Sequence, residues 1–181
     1  MASYVEPIGA YHMIGKDAYE PQRSTNYWIH IYGLDDLGLK NNATDEITLC
    51  VNKIDGIDYS VGSIEVPYGN TKVKFAGLPE FKDINIVFND FIGKNTQEIL
   101  SKWFALVFNP DTQVIGRASR YKKSGQIIET APDGSMERSW TLYGAWPSNL
   151  SIDGHEYGSD SQVKINMTLK VDYVKPGWSL A

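Results

Sequence analysis

The 181-residue chain has a single cysteine, Cys50, so no internal disulfide can form, which favours a reducing compartment such as the cytosol. Histidine is scarce as well. His12, His30 and His155 stand apart, with no HxH or HExxH spacing, so the usual zinc-hydrolase frameworks are missing. No GxSxG, P-loop or GxGxxG pattern occurs, which removes the common nucleophile-elbow, phosphate-cradle and dinucleotide signatures. No run approaches the about 18 consecutive apolar residues of a spanning helix. The N-terminus, MASYVEPIGAYHMIGKD, lacks the basic-then-apolar order of a signal peptide, and no membrane anchor is expected. Positive charge is in deficit: 17 Lys and Arg stand against 22 Asp and Glu, a net charge of −5. That balance argues against tight binding to phosphate backbones.

What is present is ordinary in bulk and unusual in detail. A chain of this length makes one domain and buries about 70% of its unfolded surface, so it needs no disulfide or metal staple. Eleven tyrosines and five tryptophans favour β structure and interfaces, where large half-buried rings suit pleated surfaces and contact hot spots.

Residues 1–24 carry turn formers (Pro7, Gly9, Gly15, Pro21) with scattered apolar side chains such as Tyr4, Ile8 and Met13. They are expected to form an arm that packs on something, ahead of a β domain over 25–181. Strands are expected at 26–32, 45–54, 59–66, 71–76 and 83–89, with the last two joined as a hairpin through GLPEFK. Each has one apolar and one polar face, as in a sheet with one face on a core. One helix stands out. Asn95 and Glu98 suggest a capping box, Ile99, Leu100, Trp103, Phe104, Val107 and Phe108 recur at helical spacing, and Asn109-Pro110 stops it. Further strands are expected at 126–130 and 136–143. A long strand over 162–174 places Val163, Ile165, Met167, Leu169, Val171 and Tyr173 on one face. Such a strand would span roughly 40 Å at about 3.3 Å per residue, longer than a small domain usually holds.

Between these last strands lies WTLYGAWPSNLSID (Trp140–Asp153). It reads as a strand that ends in a turn through Gly144 and Trp146-Pro147-Ser148-Asn149. Trp140 and Leu142 are expected to face the core, with Thr141 and Tyr143 opposite. Trp146 is expected to pack on its own barrel or on an adjoining subunit. A carbohydrate-binding β-sandwich, with Trp140, Tyr143 and Trp146 stacked on sugar, is the competing reading of these rings.

The search for chemistry finds little. His30 alternates with Trp28 and Tyr32 as an ordinary strand residue. His155-Glu156 sits in a polar loop, DGHEYGSD, whose Asp153 and Asp160 do not match calcium-loop spacing. Cys50 falls at a core-like position, where a lone cysteine behaves as a small hydrophobe. The basic segment Arg117, Arg120, Lys122, Lys123 lacks a stacking platform beyond Tyr121 and suits a charged subunit contact better than nucleic acid. No catalytic, cofactor-binding or metal-binding residue is assigned. Strands that look unguarded by charge suggest edges meant to be paired by a neighbour.

Four segments then carry a resemblance. VPYGNTKVKFAGLPEFKDINIVFND (Val66–Asp90), the aromatic helix ILSKWFALVFNP, the turn WTLYGAWPSNLSID and the strand KINMTLKVDYV together resemble tail tube proteins of contractile-tailed bacteriophages, a family related to siphophage tail tubes and type VI secretion tubes. The order and spacing agree over residues 26–174, while the first strand and its following loop match loosely and KPGWSLA extends past the usual end. The resemblance implies an antiparallel β-barrel or sandwich with one flanking helix, whose subunits join a continuous ring barrel. It implies sixfold rings stacked into a tube, a surrounding sheath, and baseplate and terminator proteins as partners. It also implies a tape measure protein and loosely held double-stranded DNA in the lumen, in a virion tail assembled in the host cytoplasm. A bacteriocin-like or type VI-like injection tube, or a baseplate tube paralogue, fits the same motifs. Under this reading Lys72, Lys74, Asp83, Asn85, Lys164, Asn166, Thr168, Lys170 and Asp172 face the lumen or a neighbour, and the 1–24 arm and 33–46 loop contact the next ring or the sheath.

Overall fold

The computed structural model describes residues 22–37, 43–154, 156–158 and 162–178. Most of the expected arm, part of the 33–46 loop, and His12, His155 and Asp160 lie outside the described residues. The elements run β1 (Tyr27–Ile31), α1 (Ala43–Cys50), β2 (Val51–Ile54), β3 (Tyr59–Tyr68), β4 (Thr71–Phe81), β5 (Ile84–Asn89), α2 (Thr96–Val107), β6 (Phe108–Asn109), β7 (Val114–Ile115), α3 (Ala118–Tyr121), β8 (Lys123–Thr130), β9 (Met136–Ile152), β10 (Lys164–Lys170) and β11 (Tyr173–Pro176).

Seven strands form one antiparallel sheet in the order β1-β8-β9-β10-β5-β2, with β11 also beside β9. The fold is mainly β, as the sequence suggested, and among the described residues the sheet stays open. Its organiser is β9. The first half of β9 pairs with β8 on one edge and with β11 on the other, whereas residues 146–152 pair with β10. One strand therefore belongs to two layers, β1-β8-β9-β11 and β9-β10-β5-β2. Ile29, Ile31, Ile127 and Leu142 from the first layer meet Ile84, Ile86, Phe88, Ile165, Met167 and Leu169 from the second in one core. Each such side chain contributes roughly 1.5–3 kcal/mol when fully buried.

The core's open side is closed by α2, which buries Ile99, Leu100 and Trp103 at helical spacing. The capping box does not form. Asn95 sits at φ −96°, ψ 30°, outside the extended cap conformation, and makes no side-chain cap bond. Glu98 pairs instead with Lys102 at 2.8 Å. The first turn is tied down by the buried Thr96, whose hydroxyl donates to Cys50 Sγ at 3.1 Å. Cys50 is fully buried, as its apolar setting implied.

The expected 45–54 strand is half helix. Ala43, Ile47 and Cys50 face the core one turn apart, while Leu49, which strand alternation would place beside Ile47, is 67% exposed. A distant residue supplies the cap: Asp35 accepts from the Thr44 backbone N–H at 3.2 Å and from its hydroxyl at 3.1 Å. Local strand propensity loses here to a tertiary cap and to burial on a 3.6-residue period.

The expected 71–76/83–89 hairpin is also corrected. β4 pairs with β3 through a two-residue Gly69-Asn70 turn, and Gly69 takes φ +59° at the first turn position, where glycine is favoured. β5 instead lies between β10 and β2. The expected turn at 144–149 is a continuation of β9. The long 162–174 strand breaks at Val171–Asp172 into β10 and β11. The inward face changes phase there, so Val174 is buried and Tyr173 exposed.

Candidate assembly surfaces

The layer β9-β10-β5-β2 has a polar outer face built by strict alternation. Ile165, Met167 and Leu169 point inward, and Asn166 and Thr168 lie on the other face with Lys164 and Lys170 at its ends. β5 repeats the pattern with Ile84, Ile86 and Phe88 inward. Register then brings polar partners together. Thr168 donates to Asn85 Oδ1 at 2.8 Å, and the Asn85 amide donates to Asp55 at 2.9 Å. Lys170 lies 3.2 Å from Asp83, and Lys53 lies 3.1 Å from Asp55. Asn166 donates to Asp153 at 3.1 Å. The hydrogen bond from Asn85, followed by that from Lys53, holds the Asp55 carboxyl below its ordinary value. The acids and amines of this face thus largely satisfy one another.

Both edges of this layer are open among the described residues. Among the described residues β2 pairs only with β5, and residues 146–152 of β9 pair only with β10, because the β8 ladder stops at Ala145. Apart from the Asn52 carbonyl, which accepts from the Tyr27 hydroxyl at 2.7 Å, these edges leave ladder positions unfilled, and such edges invite a further strand.

The second surface is the β3–β4 hairpin, whose strands are exposed almost throughout. Cross-strand register gives it two unlike faces. Ile64 stands opposite Phe75, and Val66 opposite Val73; on the other face Glu65 stands opposite Lys74, and Pro67 opposite Lys72. Glu65 binds Lys72 at 3.0 Å and Lys74 at 3.5 Å. Ile64 is 57% exposed and Phe75 56% exposed, so among the described residues this apolar stripe is largely uncovered. Sequence reasoning named both strands and missed this stripe, because it paired β4 with the wrong partner. The two-residue GN turn was the available signal.

The predicted site residues therefore fall in three places. Lys72 and Lys74 sit on the polar face of the hairpin. Asp83, Asn85, Lys164, Asn166, Thr168 and Lys170 share the sheet face. Asp172 and Trp146 belong to the corner where β9 changes layers. Asp172 binds Lys122 there, at 2.6 Å, and Trp146 meets Tyr121 edge-on at 5.8 Å. Trp140 meets Trp178 at 5.4 Å, and Tyr143 stacks on Tyr173 at 5.1 Å. Each ring of the sugar-stacking reading thus has a different ring partner in its own chain, and the three share no platform. His30 is an ordinary strand residue, its Nδ1 3.4 Å from the Thr48 hydroxyl. Among the described residues no group of three His, Cys, Asp or Glu side chains is placed to hold a metal ion.

Among the described residues the chain thus presents a four-stranded layer with open edges, a polar face on that layer, and a separate exposed hairpin. No protein-family model matches the sequence, and no curated protein does. Solved structures do. A chain in the sheath–tube complex of an extracellular contractile injection system (PVC, extended state) superposes with a TM-score of 0.65 at 19% identity, covering 87% of this chain and 92% of that one. A chain in the tube-terminating cap of the anti-feeding prophage gives 0.67 at 18% identity, covering 92% and 97%. A chain in the sixfold-symmetrised baseplate of that prophage gives 0.62 at 12%, covering 87% and 95%. The chain has the fold of the tube proteins of contractile injection machines.

Proposed function

We propose that this chain is the inner-tube subunit of a contractile injection particle and works by assembly, with no catalytic step. The observation that carries the reading is the polar-faced layer with two open edges. Residues 146–152 of one copy would pair with β2 of the next, a head-to-tail contact that closes by rotation into a ring without free edges. Six copies would make the ring, in keeping with the sixfold baseplate among its structural relatives. The Asn85–Thr168 face would line the channel and α2 the outer wall. The apolar stripe of the hairpin would be covered by the adjacent ring, which moves the stacking role from the expected 33–46 loop to β3–β4. Sheath, baseplate and terminator proteins would be the other partners.

Negative-stain microscopy and sedimentation of the purified chain test this. Rings or tubes with a central hole are expected; a monomer that stays monodisperse at all concentrations overturns the reading.

A phage tail tube is the second reading, favoured by the four sequence segments that resemble that family. It requires double-stranded DNA and a tape measure protein in the lumen of a virion tail. Particles from producing cells decide between the two: nuclease-protected DNA inside them supports the tail, and a DNA-free protein cargo supports the injection particle.

A further inference from the structure

One strongly charged surface is left unused by ring closure and stacking. The chain is net acidic, yet Arg117, Arg120, Lys122 and Lys123 crowd one short segment around α3. Lys122 is bound by Asp172. Among the described residues Arg117, Arg120 and Lys123 have no carboxylate within ion-pairing distance, the nearby salt bridges being Lys102–Glu98 and Lys122–Asp172. Arg120 and Lys123 border a groove of about 420 Å³ between α2 and α3, floored by Leu37, Ala105 and Leu106 and rimmed also by Lys102, while Arg117 stands just ahead of α3. Beside it, Val114 and Ile115 are exposed.

This surface is held in place. The Trp103 indole N–H donates to the Tyr121 carbonyl at 2.9 Å, and Gly116 N–H donates to the Val107 carbonyl at 3.0 Å. A Cβ at Gly116 would collide with the Leu106 carbonyl, so the segment lies directly on α2. α2 packs on the apolar side of the sheet, opposite the Asn85–Thr168 face. If that face lines the channel, the basic groove faces radially outward.

We propose that this groove docks an acidic segment of the sheath subunit, with carboxylates meeting Arg117, Arg120 and Lys123 and an apolar residue seated over Leu106. The inference rests on the tube reading above. Unpaired cations beside exposed apolar side chains match an acidic amphipathic segment by charge and by shape, and charge complementarity at a rim sets register and partner choice. Nucleic acid is the competing polyanion, but an apolar floor offers nothing to a phosphate backbone.

The test replaces the chain in producing cells by the variant Arg117→Glu/Arg120→Glu/Lys123→Glu. Bare tubes without an enclosing layer are expected in micrographs; sheathed particles at wild-type yield overturn the proposal. In parallel, purified wild-type and variant chains are titrated with a labelled peptide of alternating Glu and Leu. Salt-sensitive binding that falls about tenfold or more in the variant is expected. Equal binding by the two chains, or a preference for a 20-base-pair DNA duplex over the peptide, overturns it. Absence of any ring or tube from the wild-type chain refutes the tube reading instead, and the peptide titration still reads the groove.

Discussion

Gly144→Ala is the sharpest probe of how this chain is built. Gly144 lies where β9 passes from one layer to the other and takes φ +64°. An alanine there bears the left-handed strain of a non-glycine residue, about 1–2 kcal/mol. Its Cβ would also collide with the Asp172 carboxylate, with Cγ only 2.7 Å away. Asp172 must then leave Lys122, an ion pair whose side chains are 32% and 53% exposed and which is worth at most about 1 kcal/mol. The sum is roughly 1–3 kcal/mol. For a chain of this size that lowers Tm by roughly 2–12 °C. Differential scanning calorimetry reads it, under solution conditions where the chain is not assembled. Asp172→Ala alone should cost under about 1 kcal/mol, and the double variant should be no worse than Gly144→Ala, because the carboxylate collision is gone, leaving only a tight contact with the 172 Cβ at 3.1 Å, and the ion pair is lost only once. A Gly144→Ala protein that melts within about 1 °C of wild type refutes the account. Full additivity in the double variant refutes the collision.

Other consequences follow from single observations. Phe75→Asp should leave the fold and its Tm nearly unchanged, since the ring is exposed in the isolated chain, but should stop tube growth at single rings in micrographs. Trp103→Ala should destabilise by about 3–5 kcal/mol in urea denaturation, because it empties a fully buried site beneath α2 and leaves the Tyr121 carbonyl without its donor. Asp55→Asn should be less stable than wild type by a small amount, the carboxylate being 39% exposed. Because folding depresses this pKa, the gap should be full above the unfolded value of 3.8 and close as pH falls below it. Acid-unfolding curves of the two proteins check this, and a gap that widens on acidification contradicts it.

Much of this fold was written in local pattern. The alternation of Ile84, Ile86 and Phe88, and of Ile165, Met167 and Leu169, assigned strands and inward faces correctly, since a two-residue period is a property of the extended chain itself. Helical spacing of Ile99, Leu100 and Trp103 located α2 for the same kind of reason. The polar face was legible in part: alternation groups Asp83, Asn85, Lys164, Asn166, Thr168 and Lys170 on it, but Lys72, Lys74 and Asp172, expected with them, lie on the hairpin and at the β9 corner. Pairing was not legible. Alternation in 71–76 suits any antiparallel neighbour, so the sequence did not say whether β4 meets β3 or β5, and the apolar stripe of the hairpin went unseen.

By itself, then, the sequence determined the β class, the helix α2, the amphipathic faces of several strands and the lack of any motif for catalysis, because these depend on residue type and near-neighbour spacing. Only the tertiary structure decided three things. Residues 43–50 became a helix because Asp35, remote from its middle, caps it and the core takes one face. Trp140–Ile152 ran on as one bent strand because Gly144 accepts a left-handed backbone and both layers supply ladder partners. Among the described residues the edges at β2 and 146–152 stayed open because no further strand pairs with them there, and that is a property of topology, invisible in any single stretch of residues.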